Sequence, residues 1–182
     1  MNTYRISLVF LIIFISSCSI NSPQYIYLRD QFFGQKQELD PNWTLTWQND
    51  DKDIYAVNDR DYIYFINFDG VFIRFDGKQI NEVSGLFPNE SKMNIQRDGS
   101  SLIYFVNNLA YETDTCDDWL EYVSSKTREW KQICYEKIND YNYTNSIVIN
   151  ENEQIVGLKF KVNSNYPPII MRMNEHKDIR FD

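Results

Sequence analysis

Two Asp-Gly pairs, each set between short aromatic and β-branched runs, constrain the fold of this chain more than any other feature. Asp69-Gly70 and Asp76-Gly77 interrupt the segment between Asp53 and Leu86 at a spacing of seven residues. Asp-Gly between apolar runs is a strong hairpin signal, because the turn needs residues with positive φ. The sequence therefore predicts an antiparallel meander of three or four strands in this segment.

Similar short runs continue along the chain. Trp43, Leu45 and Trp47 alternate with threonines, which is typical of a strand with one buried face. Nine or ten short strands in all predict an all-β fold, an antiparallel β-sandwich or an open barrel. We expect a short helix over Tyr25–Gln35, a polar connection over Pro88–Ser101, and leave Cys116–Ser125 open between helix and strand. The remaining predicted strands are Ile54–Val57, Leu102–Val106, Trp130–Ile138, Ser146–Ile149, Gln154–Val162 and Ile169–Met173.

The N-terminus is predicted to be a targeting signal. Arg5 precedes an apolar run, Ile6–Ile15, which is too short to span a bilayer but suits a signal peptide. The run ends in Ile15-Ser16-Ser17-Cys18, which resembles the bacterial lipobox and implies acyl chains on Cys18. We therefore expect a signal peptide over residues 1–17, a lipidated tether over 18–24 and a single all-β domain over 25–182.

Lipidation of Cys18 would hold the protein on a membrane, because several acyl chains exceed what stable anchoring needs. Ser19 follows the cysteine, where Asp would retain a lipoprotein in the inner membrane of a Gram-negative envelope. The predicted location is therefore the outer membrane, with the domain facing the periplasm.

Two cysteines remain, Cys116 and Cys134, and an exported chain reaches an oxidising compartment. An even remainder predicts one disulfide. A redox-active pair is the alternative, but such pairs are usually two residues apart. Two thiols with the distant His176 also make a poor zinc site, so we expect no metal and no cofactor.

Charge and composition exclude several functions. The formal net charge is −8, which argues against nucleic-acid binding and against a polybasic membrane patch. A single histidine, His176, excludes multi-histidine metal sites and makes a Ser-His-Asp triad hard to build. We expect no enzyme activity from this chain.

Five tyrosines lie near predicted polar loops and are candidates for glycan contact. Tyrosine rings can stack on sugars while their hydroxyls hydrogen-bond, as amphipathic aromatics do at binding surfaces. The alternative is that they are structural. The five are Tyr25, Tyr27, Tyr141, Tyr143 and Tyr166.

Six segments of the chain carry a family resemblance: Gln31–Gly34, Val71–Leu86, Ile133–Tyr135, Asn145–Ile149, Asn152–Val156 and Pro167–Met173. The last four are similar to the C-terminal strands of the YjbF/GfcB group of lipoproteins, which are encoded with exopolysaccharide and group 4 capsule genes. Val71–Leu86 resembles that family's strand–turn–strand, and Gln31–Gly34 resembles the end of its early helix. The resemblance implies an all-β, outer-membrane-anchored lipoprotein that aids polysaccharide production or export, and it brings no site residues.

Three functional hypotheses follow. The first is a non-enzymatic accessory factor of exopolysaccharide or capsule export, which binds polysaccharide or proteins of the export machinery. The alternative is a lipid-anchored carrier or envelope assembly factor that uses a barrel cavity. A third is an envelope hydrolase, which would need a cleft with convergent carboxylates such as Asp117 and Asp118.

Overall fold

Strand β1 shows how the sequence pattern becomes structure. In the computed structural model, which describes residues 41–87, 92–124 and 126–181, β1 spans Trp43–Trp47. Trp43, Leu45 and Trp47 are buried and the threonines between them are half-buried, as predicted. The alternation places one face of the strand in the core.

Thirteen strands and one short 3₁₀ helix form the described part of the chain, so the all-β prediction is confirmed. The helix is Asn174–His176, after the last strand. The other strands are β2 (Asp50–Asp59), β3 (Tyr62–Ile66), β4 (Phe72–Phe75), β5 (Ile80–Ser84), β6 (Met93–Asp98), β7 (Ser101–Val106), β8 (Leu109–Cys116), β9 (Leu120–Val123), β10 (Thr127–Glu136), β11 (Tyr141–Asn150), β12 (Ile155–Phe160) and β13 (Ile169–Met173).

The sheet closes into an antiparallel barrel of twelve strands. Each strand pairs with the next one in sequence, except that β8 pairs with β10, and β13 returns to pair with β1, where Met173 lies opposite Trp43. Strand β10 joins β8 to β11, and β9 is the extra strand, paired with the first half of β10. Closure removes the free edges that an open sheet would expose.

Because neighbouring strands are antiparallel, their turns alternate between two ends of the barrel. We call the end where β1 begins at Trp43 the proximal end; the β2–β3, β4–β5 and β11–β12 turns lie there. The opposite, distal end carries the β1–β2, β7–β8 and β10–β11 turns. The chain therefore enters the barrel at the proximal end.

Both predicted Asp-Gly turns are present, with Gly70 and Gly77 at φ of +91° and +89°. Gly85, after β5, also has a positive φ, +77°, and a Cβ there would lie 2.2 Å from the carbonyl oxygen of Gly70. The two glycines let the β5–β6 connection pack directly against the β3–β4 turn.

Several expectations are corrected. The fold is a closed barrel rather than a sandwich or open barrel, and thirteen strands replace nine or ten. The polar connection over Pro88–Ser101 contains β6, whose core-facing side has only Met93 and Ile95 as buried side chains. Cys116–Ser125 resolves into the end of β8 and the short strand β9. The helix expected over Tyr25–Gln35 lies outside the described residues.

Within the described ranges, no helix is long and apolar enough to cross a bilayer.

Candidate functional site

The predicted disulfide is confirmed. Cys116 ends β8 and lies directly opposite Cys134 in β10, with an S–S bond of 2.06 Å. Both cysteines are buried and point into the barrel. They join the last part of β10 to β8, the strand that precedes β9.

A buried ion cluster lies in the barrel beside the disulfide, toward the distal end. The ammonium of Lys161 contacts three carboxylates: Glu112 at 2.7 Å, Asp114 at 2.9 Å and Glu136 at 2.5 Å. All four side chains are almost fully excluded from solvent. Formally, three carboxylates face one ammonium, which leaves a net charge of −2 in a medium where unbalanced charge is costly.

Tyrosines surround the cluster. The Tyr143 hydroxyl donates a hydrogen bond of 2.7 Å to Asp114 and lies 2.9 Å from the Tyr104 hydroxyl. The Lys161 ammonium also lies 4.6 Å from the centre of the Tyr143 ring, within range of a cation–π contact. Burial raises the pKa of both phenols, so they act as neutral hydrogen-bond donors.

The charges of the cluster follow from competition between burial and pairing. Burial alone would lower the pKa of Lys161, but its hydrogen bonds to Glu112, Glu136 and Asp114 raise it above the ordinary value. Burial raises the pKa of Glu112, and repulsion from Asp114 adds to the rise against the opposing effect of Lys161. For Glu136, hydrogen bonds from Lys161 and Tyr141 outweigh burial and hold the pKa below its usual range.

These shifts predict the pH dependence of stability. The raised pKa of Glu112 means that the folded state binds this proton more tightly than the unfolded chain, so stability falls as pH rises above about 4.3, the ordinary glutamate value. The lowered pKa of Glu136 means that stability also falls as pH drops below that value. Urea denaturation between pH 3 and pH 8 should therefore show a maximum at mildly acid pH.

The Glu112→Gln variant is the matched test, because it cannot ionise. Its unfolding free energy should lose the decline on the neutral side of the maximum and keep the decline on the acid side. An unchanged decline on the neutral side would contradict the assignment to Glu112.

Of the five tyrosines predicted as candidates for glycan contact, the three that the structure describes lie at two different places. Tyr141 and Tyr143 lie together at the ion cluster, with ring centroids 6.2 Å apart, and Tyr141 is the more exposed of the two. Tyr166 instead packs on Trp47 and Phe87. Cys18, Tyr25 and Tyr27 lie outside the described residues.

A polar groove of about 690 Å³ runs along the outer face of β4 to β7. It contains three cationic side chains, Arg74, Lys92 and Arg97, and none of the residues that line it is acidic. Amides and one aromatic ring complete it. These are Gln79, Asn81, Asn94, Gln96, Asn108 and Phe105, with Ile95 beneath them.

Two ion pairs organise the middle of the groove. Lys92 lies 2.7 Å and Arg74 3.6 Å from Glu82, a buried carboxylate on the neighbouring strand. Arg97 lies nearer the proximal end, and its Nε donates to the carbonyl of Gly99 at 3.0 Å. One carboxylate thus offsets part of a threefold positive charge, and the groove remains cationic on an acidic protein.

Sequence reasoning missed both features, although one signal was present. Glu112, Asp114 and Cys116 alternate along β8, and Cys134 and Glu136 alternate along β10. Once a disulfide fixes the two cysteines inside, the period of two places all three carboxylates inside as well. No comparable signal marked the groove, because its residues come from four strands.

Comparison with known proteins finds similarity at the level of structure. No protein-family model and no curated protein matches the sequence. The structure of the hypothetical lipoprotein YmcC from Escherichia coli K12 is similar with a TM-score of 0.49 and 10% sequence identity, over 85% of this chain and 97% of that one.

Proposed function

We propose that this protein is a lipid-anchored, non-enzymatic envelope protein that binds an acidic polysaccharide, as an accessory factor in exopolysaccharide or capsule production or export. The cationic groove is the observation that carries the proposal. The proposed membrane anchorage rests on the lipobox at Cys18. The proposed role in polysaccharide production or export rests on the resemblance to the YjbF/GfcB group. In this proposal the domain lies on the periplasmic side of the outer membrane.

The groove has the chemistry that a uronic acid polymer needs. Arg97 and Lys92 can form ion pairs with sugar carboxylates. Amides such as Asn94 can donate hydrogen bonds to sugar hydroxyls and accept hydrogen bonds from them. Phe105 offers an apolar surface for a sugar ring. The volume falls within the roughly 300–1,000 Å³ of small-ligand sites.

The buried carboxylates have a structural role in this proposal. Glycoside hydrolysis needs two carboxyl groups that reach the sugar from opposite sides. Glu112, Asp114 and Glu136 are sealed from solvent and bonded to Lys161. Asp117 and Asp118, the sequence candidates, are exposed beside the disulfide.

Binding is tested with polygalacturonate as the acidic probe and dextran as a neutral one. We expect polygalacturonate to bind and dextran not to bind, with an affinity that falls as salt rises. Arg97→Gln should weaken binding by about 10- to 100-fold, because a charge-assisted hydrogen bond contributes about 1.5–3 kcal/mol and each 1.4 kcal/mol is a factor of about ten. Lys177→Gln removes the same charge at an exposed site outside the groove and should leave binding unchanged. Equal binding of both polymers, or equal loss in both variants, would refute the groove as the site.

The pathway is tested in cells. A deletion strain is complemented with the wild type, Cys18→Ala or Arg97→Gln, and cell-bound and released polysaccharide are quantified. We expect the wild type alone to restore the polymer fully. Unchanged polymer in the deletion strain would remove the exopolysaccharide role.

A further inference from the structure

An apolar cavity of about 470 Å³ opens at the proximal end of the barrel and shares no lining residue with the groove or the ion cluster. Its walls come from the link before β9 and from β10, β11 and β12, with the β4–β5 turn across the mouth. The lining side chains are Trp119, Trp130, Ile147, Ile149, Ile155 and Lys78, with Gly77. A site of this size and lining suits an apolar ligand.

The neighbouring β9–β10 hairpin exposes apolar side chains that a water-facing strand would not need. Leu120, Tyr122 and Val123 are 53%, 50% and 73% exposed. Among the described strands, β9 pairs with β10 alone, so its other edge is unpaired. Large apolar side chains grouped at one end of a molecule mark a surface that contacts another apolar phase.

The position of the cavity favours a lipid bilayer as the apolar phase that this surface contacts. Strand β1 begins at the proximal end, so the chain that leads back to Cys18 joins the barrel on the side of the cavity. Lys78 at the cavity rim and Lys126 near the hairpin tip are exposed ammonium groups that suit lipid phosphates. Trp and Tyr side chains are also the residues that settle at a bilayer interface.

We propose that the proximal cavity binds an acyl chain of a membrane phospholipid while the β9–β10 hairpin rests on the bilayer surface. The inference rests on the proposed anchorage through Cys18 and is independent of polysaccharide binding. It gives the protein a fixed orientation, with the distal end held away from the lipid.

Tryptophan fluorescence provides the test. The chain has four tryptophans, and Trp43 and Trp47 are only 3% and 5% exposed in the core. Quenching by brominated acyl chains should therefore report Trp119 and Trp130. The lipidated protein is reconstituted into vesicles of phosphatidylethanolamine and phosphatidylglycerol, with or without bromine on the acyl chains, and flotation is measured on the same samples.

We expect the wild type to float and to lose most of the Trp119 and Trp130 emission in brominated vesicles. Ile149→Glu should float and escape quenching, whereas Ile138→Glu, the same change at an exposed distal site, should be quenched like the wild type. The double variant Trp119→Phe, Trp130→Phe, which keeps aromatic rings in the cavity, should show no residual quenching.

The outcomes distinguish membrane anchorage through Cys18 from acyl-chain binding in the cavity. Loss of flotation in the wild type would refute the anchorage, and flotation without quenching would refute the cavity site. Quenching that survives in a folded Ile149→Glu protein would also refute it. Native mass spectrometry of the wild type gives an independent reading: a bound phospholipid is expected, whereas a dimer without lipid would mean that a second copy fills the cavity.

Discussion

Replacing Lys161 with methionine should destabilise the protein by about 3–5 kcal/mol, the range for removing one partner from a buried ionic group. The substitution keeps most of the side-chain volume but leaves three carboxylates without the ammonium that lies within 2.9 Å of each. Urea denaturation monitored by tryptophan fluorescence measures the change. Lys177→Met, the same change at an exposed site, should alter stability by less than about 0.5 kcal/mol.

The cause can be separated from loss of packing. If unbalanced charge is responsible, the deficit of Lys161→Met should shrink as pH falls and the carboxylates take up protons. Adding Glu112→Gln and Glu136→Gln should also restore part of the stability. A deficit that is constant with pH and insensitive to these additions would show that Lys161 contributes packing alone.

Removal of the Cys116–Cys134 bond should cost about 3 kcal/mol, because it frees a loop of 18 residues in the unfolded chain. The bond also ties β8 to β10 at the point where the chain leaves for β9. We therefore expect the Cys116→Ala, Cys134→Ala double variant to unfold at lower urea concentration than the oxidised wild type.

Reduction gives the matched control. Dithiothreitol should lower the unfolding midpoint of the wild type toward that of the double variant and leave the double variant unchanged. If thiol titration shows full reduction while the wild-type midpoint stays constant, the bond contributes little to stability.

Local features of this fold could be predicted because they depend on neighbouring residues. The Asp-Gly turns follow from φ preferences, and the buried face of β1 follows from the alternation of Trp43, Leu45 and Trp47. The disulfide followed from counting cysteines in a chain that the sequence predicts to be exported. Strand β6 was not predicted from the sequence, because only Met93 and Ile95 face the core and two apolar residues do not give a strand pattern in a polar segment.

Barrel closure and the sites depended on the tertiary structure. Strand β1 meets β13 at the far end of the chain, where Thr44 bonds Asn174 across 130 residues, and no local pattern specifies that pairing. Lys161 reaches Glu112 across 49 residues, and four strands combine to form the groove. The sequence by itself determined the turns and the strand faces, and it supplied the prediction of membrane anchorage, because these depend on adjacent residues. Only the closed sheet decided which charges meet inside the barrel and which line its surface, because that depends on the register of strands distant in sequence.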